Sequence, residues 1–171
     1  MSVAIRRAGA GDVDFLVELL ADDDVRPYLA PLGSDRAALF AEIERSDAEP
    51  ALFGRFVIEA DGERAGLMGF HVTSERNGIA HLERLAVHPD FRGRGVADDA
   101  ARLFQRHLLL ELGLHRLEFE VYAFNERGLA HSERCGFVRE GVKRRAYRRG
   151  GEWVDSVVYS LLREDLGGPL N

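Results

Sequence analysis

The residues best suited to chemistry lie in the segment Arg92-Gly93-Arg94-Gly95, which follows an apolar stretch and precedes a helical pattern. Its glycines let the backbone approach a ligand closely, and its arginines add positive charge. The amides in the first turn of a helix have no intrahelical partners, and with the helix dipole they attract an anion. The segment fits neither GxxxxGK[ST] nor GxGxxG with a following acidic residue. A phosphate-binding loop and an ordinary tight turn therefore both remain open.

The elements around this loop decide where it lies. Alternation in "GIAHLERLAVHP" predicts a strand of about ten residues ended by Pro89. Apolar residues at every fourth position then predict a helix from Gly95 to Leu112. Because "RLEFEVYAF" alternates again, the order is strand, loop, helix, strand. Such a crossover places the loop at the carboxyl end of a strand, beside the start of the helix.

The rest of the chain alternates between periods of 2 and 3.6 residues, which predicts a mixed α/β fold. Further helices are predicted within residues 11–23, from Ser34 to Ser46, and from Glu126 to Cys135 with Asn125 as its cap. Further strands are predicted at residues 3–5, on both sides of Asp61-Gly62, and at 137–148 and 152–163 around Gly150-Gly151. No linker or repeat interrupts this order, so one domain is predicted over residues 1–171.

Composition excludes several classes of protein. The chain has 171 residues, 46% of them hydrophobic and 30% charged, and a formal net charge of −6. The negative charge argues against a nucleic-acid partner, although "KRRAYRRGG" near the C-terminus is a local basic run. A single cysteine, Cys135, allows no intrachain disulfide and no CxxC metal site. With neither a signal peptide nor a membrane span predicted, we expect a cytoplasmic protein with no membrane contact.

Three motifs in order resemble the GNAT superfamily of acetyl-CoA-dependent N-acetyltransferases. They are "LAVHPDFRGRGVA", "NERGLAHSERCGF" and the ending "GFVREGVKRRAYRRGGEWVDSVVYSLL". The ending is similar to the branch that contains the ribosomal-protein N-terminal and polyamine acetyltransferases. The resemblance implies a mixed, mostly antiparallel central sheet with flanking helices, and acetyl-CoA as co-substrate with no metal.

The same resemblance implies how coenzyme A binds. The pyrophosphate would be held by the backbone amides of the loop, here Arg92, Gly93, Arg94, Gly95, Val96 and Ala97. The pantetheine arm would pair with the preceding strand at Leu85, Ala86 and Val87. Asn125 would hydrogen-bond that arm, although capping of the following helix is the simpler interpretation of this residue.

Acetyl transfer to an amine needs a proton acceptor, because a free amine is mostly protonated at neutral pH. Glu83 lies on the same alternating face as His81, Leu85 and Val87, and Glu120 occupies the position of a glutamate that some family members use. A water relay is the alternative. A plainer interpretation makes both glutamates solvated strand residues, with Glu118 and Arg84 in ordinary cross-strand pairs.

Three further residues also bear on the chemistry. Ser132 stands where many family members have a tyrosine, and we expect its hydroxyl to orient or stabilise the coenzyme A sulfur. His81 is a weaker candidate for the base, since a lone strand histidine is more often structural. Cys135 is interpreted as a small core residue rather than a nucleophile.

The resemblance implies a primary amine as the acceptor, and the similarity to that branch favours the α-amine of a peptide or protein. The alternatives are a polyamine or aminoglycoside, and an acyl-CoA sensor without turnover. Acidic residues of the N-terminal region could form a negative rim that attracts a cationic amine, or they could be solvated helix faces. These are Asp22, Asp23, Asp24, Asp35, Glu42, Glu44, Asp47 and Glu49. Because long C-terminal strands often pair between subunits in this family, a homodimer is favoured.

Overall fold

The computed structural model describes residues 1–30 and 33–166. The strands are β1 (Val3–Arg7), β2 (Phe53–Ala60), β3 (Glu63–Ser74), β4 (Ile79–Val87), β5 (Arg116–Tyr122), β6 (Val138–Arg149) and β7 (Glu152–Leu162). The helices are α1 (Val13–Ala21), α2 (Arg36–Ala48), α3 (Val96–Arg106) and α4 (Glu126–Arg134). The predicted mixed α/β fold is confirmed. Within the described residues, no helix combines the length and the apolar character that a membrane crossing requires.

All seven strands belong to one sheet, in the order β1-β2-β3-β4-β5-β7-β6. Neighbouring strands are antiparallel except β4 and β5, which run parallel. This parallel pairing covers only three residue pairs, from Ile79 with Arg116 to His81 with Glu118. Beyond them β4 and β5 are no longer paired, so residues 82–87 of β4 border a cleft in the sheet.

Helices cover both faces of the sheet because side chains alternate along its strands. Phe56 and Phe70 point to the face where α3 packs through Val96, Ala100 and Phe104. Val57 follows Phe56 in β2, and Leu67 precedes Phe70 by three residues in β3. Both therefore lie on the opposite face of the sheet, where they pack with α1 and α2. The two hydrophobic clusters hold the central strands rigid where the cleft opens.

Two helix boundaries differ from the sequence prediction. Helix α3 ends at Arg106 and passes into a π-helical turn, in which the Leu112 amide donates to the His107 carbonyl at 3.0 Å. This wider turn buries the consecutive residues Leu108 and Leu109, which a regular α-helix would turn further apart. Helix α2 begins at Arg36 rather than Ser34, because the Asp35 carboxylate caps it by accepting from the Ala38 amide.

The C-terminal hairpin forms the far edge of the sheet. Strand β6 is the outermost strand, and nearly all of its residues are exposed. Gly150 and Gly151 adopt positive φ angles of 55° and 87°, which confirms the predicted turn between β6 and β7. The single domain over residues 1–171 stays a prediction, and residues 31, 32 and 167–171 lie outside the described part of the chain.

Candidate active site

The cleft between β4 and β5 connects two cavities. A cavity of about 700 Å³ lies at the start of α3, and we call it the loop cavity. A smaller one of about 220 Å³ lies where β4 and β5 separate, and we call it the fork cavity. Leu85 and Asn125 line both cavities. An extended ligand can therefore reach from the glycine-rich loop into the sheet.

The glycine-rich loop has the geometry of an anion cradle. Gly93 and Gly95 have φ angles of 73° and 79°, a left-handed conformation that other residues adopt at a cost. Gly95 is the N-cap of α3, so the first-turn amides that follow it have no intrahelical acceptor. These amides and the positive end of the helix dipole can hold a phosphate group.

Nine of the ten residues predicted to bind coenzyme A line the loop cavity, and Arg94 is the exception. The nine are Leu85, Ala86, Val87, Arg92, Gly93, Gly95, Val96, Ala97 and Asn125. The Arg92 guanidinium donates to the carbonyls of Val87 and Asp24, both at 3.1 Å. Its side chain therefore ties the loop to the α1–α2 connection, and the backbone amides are left to meet the anion.

Asn125 serves as a helix cap and also faces the cleft. Its side-chain oxygen accepts from the Gly128 amide at 3.0 Å, which satisfies one donor at the start of α4. Because it lines both cavities, its side-chain NH₂ group is placed to donate to a ligand. The capping and ligand interpretations are compatible, since they use different atoms.

Glu120 lies at the fork cavity, where three side chains of the C-terminal hairpin donate hydrogen bonds to it. Its carboxylate accepts from Ser156 Oγ at 2.6 Å, from Tyr147 Oη at 3.0 Å, and from Lys143 Nζ. Burial raises the pKa of Glu120, but the bonds from Lys143, Ser156 and Tyr147 outweigh it and lower the pKa below its usual value. At neutral pH this carboxylate is charged and weakly basic.

Glu83 lines the same cavity and is more strongly held. One of its oxygens lies 2.6 Å from Arg55 Nη2 and 3.5 Å from His71 Nδ1. Burial raises its pKa, yet His71 and the buried Arg55 together bring the pKa down to about 2. The structure brings Glu83 and Glu120 to one cavity, as the sequence predicts, but each is paired with a cationic side chain, Arg55 or Lys143.

A bulge in β4 changes the predicted faces of this strand. Gly69 of β3 pairs with Glu83, whereas Leu67 pairs with Ala86, so β4 contains one additional residue between these pairs. The prediction that Glu83 shares one alternating face with Leu85 and Val87 is wrong for this reason. The sequence alternation gives no sign of the additional residue.

The bulge also explains Arg84, whose importance sequence reasoning missed. Arg84 has a positive φ of 59° and donates to Glu42 Oε1 and to the Gly33 carbonyl, both at 2.9 Å. Glu118 instead accepts from Arg116 at 3.1 Å. The plainer interpretation of Arg84 as part of an ordinary cross-strand pair is therefore wrong, because the bulge directs its side chain towards α2.

His81 also lines the fork cavity. It is half-buried, and its ring lies 5.3 Å from the ring of His71. Burial, followed by the charge of His71, lowers the pKa of His81 below 6.5. The imidazole is therefore neutral at neutral pH and able to accept a proton.

Ser132 lines the fork cavity from α4 but is completely buried. Its hydroxyl donates to the Gly128 carbonyl at 2.8 Å, within its own helix. The hydroxyl proton is thus already used, and the oxygen lone pairs remain to accept a hydrogen bond.

Cys135 is buried beside His131 and Asp98. Burial raises the pKa of its thiol to about 11, which agrees with the core interpretation rather than a nucleophilic one. The ligand atoms of these three residues lie within 4.8 Å of one another. Arg134, however, donates to both oxygens of Asp98, so a guanidinium already neutralises this carboxylate.

A third cavity, of about 810 Å³, lies between the α1–α2 connection and the tip of the C-terminal hairpin. We call it the arginine cavity, because Arg26, Arg84 and Arg149 line it. It shares Leu29, Ala30 and Arg84 with the fork cavity. None of the eight acidic residues expected to form a negative rim lines the arginine cavity. Of these eight, Asp24 lines the loop cavity, and Glu42 pairs with Arg55 and Arg84.

Comparison with known proteins places this fold and cleft in one family. The profile of the family described as Acetyltransferase (GNAT) domain matches residues 3–138. The chain belongs to this family and is an N-acetyltransferase, an enzyme that transfers an acetyl group to an amine. Its seven-stranded, mostly antiparallel sheet with four helices is the fold expected from the resemblance.

Individual relatives differ in the acceptors that their names state. An SPbeta prophage-derived uncharacterized N-acetyltransferase of Bacillus subtilis is 29% identical over 145 residues, covering 84% of this chain and 81% of that protein. A putative ribosomal N-acetyltransferase of Bacillus subtilis is 31% identical over 108 residues, covering 63% of this chain and only 58% of that protein. The crystal structure of spermidine N-acetyltransferase from Vibrio cholerae with CoA and spermine has a TM-score of 0.85 at 22% identity, covering 96% of this chain and 98% of that one.

Proposed function

We propose that this enzyme transfers the acetyl group of acetyl-CoA directly to the α-amine of a peptide or protein N-terminus. The observation that carries the proposal is the separation of β4 and β5 after His81, which leaves the edge of β4 open between the loop cavity and the fork cavity. This opening gives a thioester a path from the glycine-rich loop to the ionisable groups in the sheet.

Acetyl-CoA would lie along this path. The amides of Arg92 to Ala97 would hold the pyrophosphate, because the left-handed Gly93 and Gly95 and the first-turn amides of α3 form a cradle that a phosphate fits. The open edge of β4 at Leu85, Ala86 and Val87 would hydrogen-bond the pantetheine arm as a neighbouring strand does. Asn125 would donate its side-chain NH₂ to the same arm.

Transfer would then take place in the fork cavity. The neutral amine attacks the thioester carbonyl, the developing oxyanion accepts a hydrogen bond from a backbone amide near Val87, and the carbon–sulfur bond breaks. The ammonium proton leaves to Glu120 or Glu83, to neutral His81, or through water, since all three side chains line this cavity. Coenzyme A leaves as a thiolate, which takes up the proton released by the amine through the same groups or water, and Ser132 would accept a hydrogen bond from the resulting thiol.

The acceptor assignment rests on the arginine cavity, which opens next to the fork cavity. A polyamine carries several positive charges and would be repelled by the guanidinium groups there. A peptide N-terminus carries one amine and can present backbone carbonyls to the same groups. The Vibrio cholerae relative that was solved with spermine makes polyamines the second candidate, and a sensor without turnover is the third.

The test combines binding with turnover. Calorimetry should show binding of both acetyl-CoA and CoA, and thiol release should appear with an N-terminal peptide rather than with spermidine or an aminoglycoside. Release with spermidine alone would assign the polyamine function. Binding without release on any acceptor would assign the sensor, and the absence of acetyl-CoA binding would exclude the whole proposal.

A pair of glycine variants tests where the pyrophosphate binds. Gly95→Ala and Gly113→Ala both place a side chain at a left-handed position, with φ of 79° and 72°, and neither new Cβ has a heavy atom of the described residues within 4 Å. Only Gly95 lies in the loop cavity. We expect Gly95→Ala to raise the KM for acetyl-CoA about tenfold, whereas Gly113→Ala changes stability alone. Equal effects on KM would place the pyrophosphate elsewhere.

Oligomeric state and cellular location stay predictions. Strand β6 offers an exposed outer edge where a second copy could pair, in agreement with the expected homodimer. Size-exclusion chromatography with light scattering would decide between monomer and dimer.

A further inference from the structure

The arginine cavity has a charge composition that suits only some acceptors. Among the described residues, its ionisable lining side chains are Arg26, Arg84 and Arg149, and no aspartate or glutamate lines it. The chain as a whole carries a net charge of −6, so a cavity whose charged lining residues, among those described, are all arginines runs against the composition. Its volume of about 810 Å³ falls in the range of about 300–1,000 Å³ that small-ligand sites occupy.

Arg84 is held rigidly at the boundary between this cavity and the fork cavity. Its side chain is only 4% exposed, and the β4 bulge gives it the unusual φ of 59°. Glu42 and the Gly33 carbonyl accept from Nη2, but within residues 1–30 and 33–166 nothing accepts from the buried Nε. A buried guanidinium donor without an acceptor is costly unless a ligand supplies one.

Within residues 1–30 and 33–166, Arg149 forms no ion pair with a carboxylate. Its guanidinium donates to the carbonyls of Arg26 and Pro27, at 3.2 and 2.9 Å, and lies 5.2 Å from the Tyr122 ring. These partners position the group without neutralising it. Arg26 pairs with Asp23, but both side chains are largely exposed, so solvent screens this pair.

We propose that the arginine cavity binds a carboxylate of the acceptor, and that the acceptor is a peptide with an acidic side chain immediately after its N-terminal residue. The proposal rests on the proposed function, since it assumes that the acceptor amine lies in the fork cavity. With the amine there, the next side chains of the peptide reach the adjoining cavity, where a guanidinium binds a carboxylate in a bidentate manner.

The test compares three peptides that differ only at the second position: the amides of Ala-Glu-Ala-Ala, Ala-Gln-Ala-Ala and Ala-Lys-Ala-Ala. We expect kcat/KM for the glutamate peptide to exceed that for the glutamine peptide by about 10- to 100-fold, the value of one charge-assisted hydrogen bond. The lysine peptide should be poorest. Free glutamate and free alanine are measured beside them, because an α-carboxylate is the other source of this chemistry.

Arg149→Gln should bring the ratio between the glutamate and glutamine peptides close to 1, while the matched variant Arg148→Gln should preserve it. Arg148 is the preceding residue of β6, exposed and not part of the cavity lining. Equal kcat/KM for all three peptides, or faster acetylation of the free amino acids, would overturn this inference and leave the proposed acetyl transfer intact. Failure of every peptide while spermidine is acetylated would instead contradict the proposed peptide function.

Discussion

Glu83 and Glu120 illustrate how strongly the surroundings of a residue decide what it can do. Both are placed at the fork cavity, yet arginine, lysine, tyrosine and serine donors stabilise their charged forms. A general base works best when its pKa lies near the working pH. With a pKa of about 2, Glu83 is a poor proton acceptor at pH 7, while His81, whose pKa is lowered by burial, is neutral there and can take up a proton.

At the residue scale we therefore predict that His81→Gln lowers kcat more than Glu120→Gln does. Loss of a general base costs typically 10²- to 10⁴-fold, and the acid limb of the pH–rate profile should disappear with the imidazole. Steady-state kinetics from pH 5 to 9 for both variants is the measurement. A larger loss for Glu120→Gln, with the acid limb unchanged in His81→Gln, would assign the proton to the carboxylate.

Among the elements, β4 and α4 determine the shape of the site. The sequence predicted both, since alternation and a capped helical pattern are local signals. It could not predict the bulge at Arg84 or the three-residue pairing with β5, because both arise from contacts between distant parts of the chain. The arginine cavity was missed for the same reason, because Arg26, Arg84 and Arg149 are far apart in sequence.

At the element scale, two substitutions at Asn125 separate its capping role from its proposed role as a ligand. Asn125→Asp retains the oxygen that accepts from the Gly128 amide but removes the NH₂ donor, so stability should stay near wild type while the KM for acetyl-CoA rises. Asn125→Ala removes both and should also cost about 1 kcal/mol of stability. Urea unfolding combined with steady-state kinetics measures the two effects. An unchanged KM in Asn125→Asp would leave capping as the only role.

Taken as a whole, the molecule joins its N-terminal helices to the sheet through buried charge. Arg55, only 3% exposed, bonds both Glu42 of α2 and Glu83 of β4. Composition indicated a compact domain, yet it could not show which charges are buried, because burial follows from the three-dimensional arrangement. Removing one partner of such a pair typically costs about 3–5 kcal/mol.

For the whole molecule we predict loss of stability in acid. The pKa of Glu83, Asp98 and Glu140 is held at about 2, and each carboxylate is paired with an arginine. Because the unfolded chain binds protons at higher pH than the folded one, stability is complete above about pH 5 and falls as the pH drops towards 2. Urea unfolding at pH 7, 4 and 3 measures this.

Glu83→Gln should be less stable than wild type at pH 7 and lose less stability on acidification. Glu75→Gln, at an exposed residue in the turn between β3 and β4, is the matched control and should follow wild type. Identical acid profiles for wild type and Glu83→Gln would contradict this assignment of the acid sensitivity.

The short pairing between β4 and β5 also has a mechanical consequence. Strands β1–β4 and β5–β7 form two half-sheets, and among the described residues the strands β4 and β5 that join them share only three residue pairs, beside the cleft. A ligand that hydrogen-bonds to the open edge of β4 while contacting α4 would connect the two half-sheets and restrict their relative motion. Amide hydrogen exchange along β4 and β5 should then slow when acetyl-CoA is bound. The bound co-substrate would thus stabilise the sheet itself.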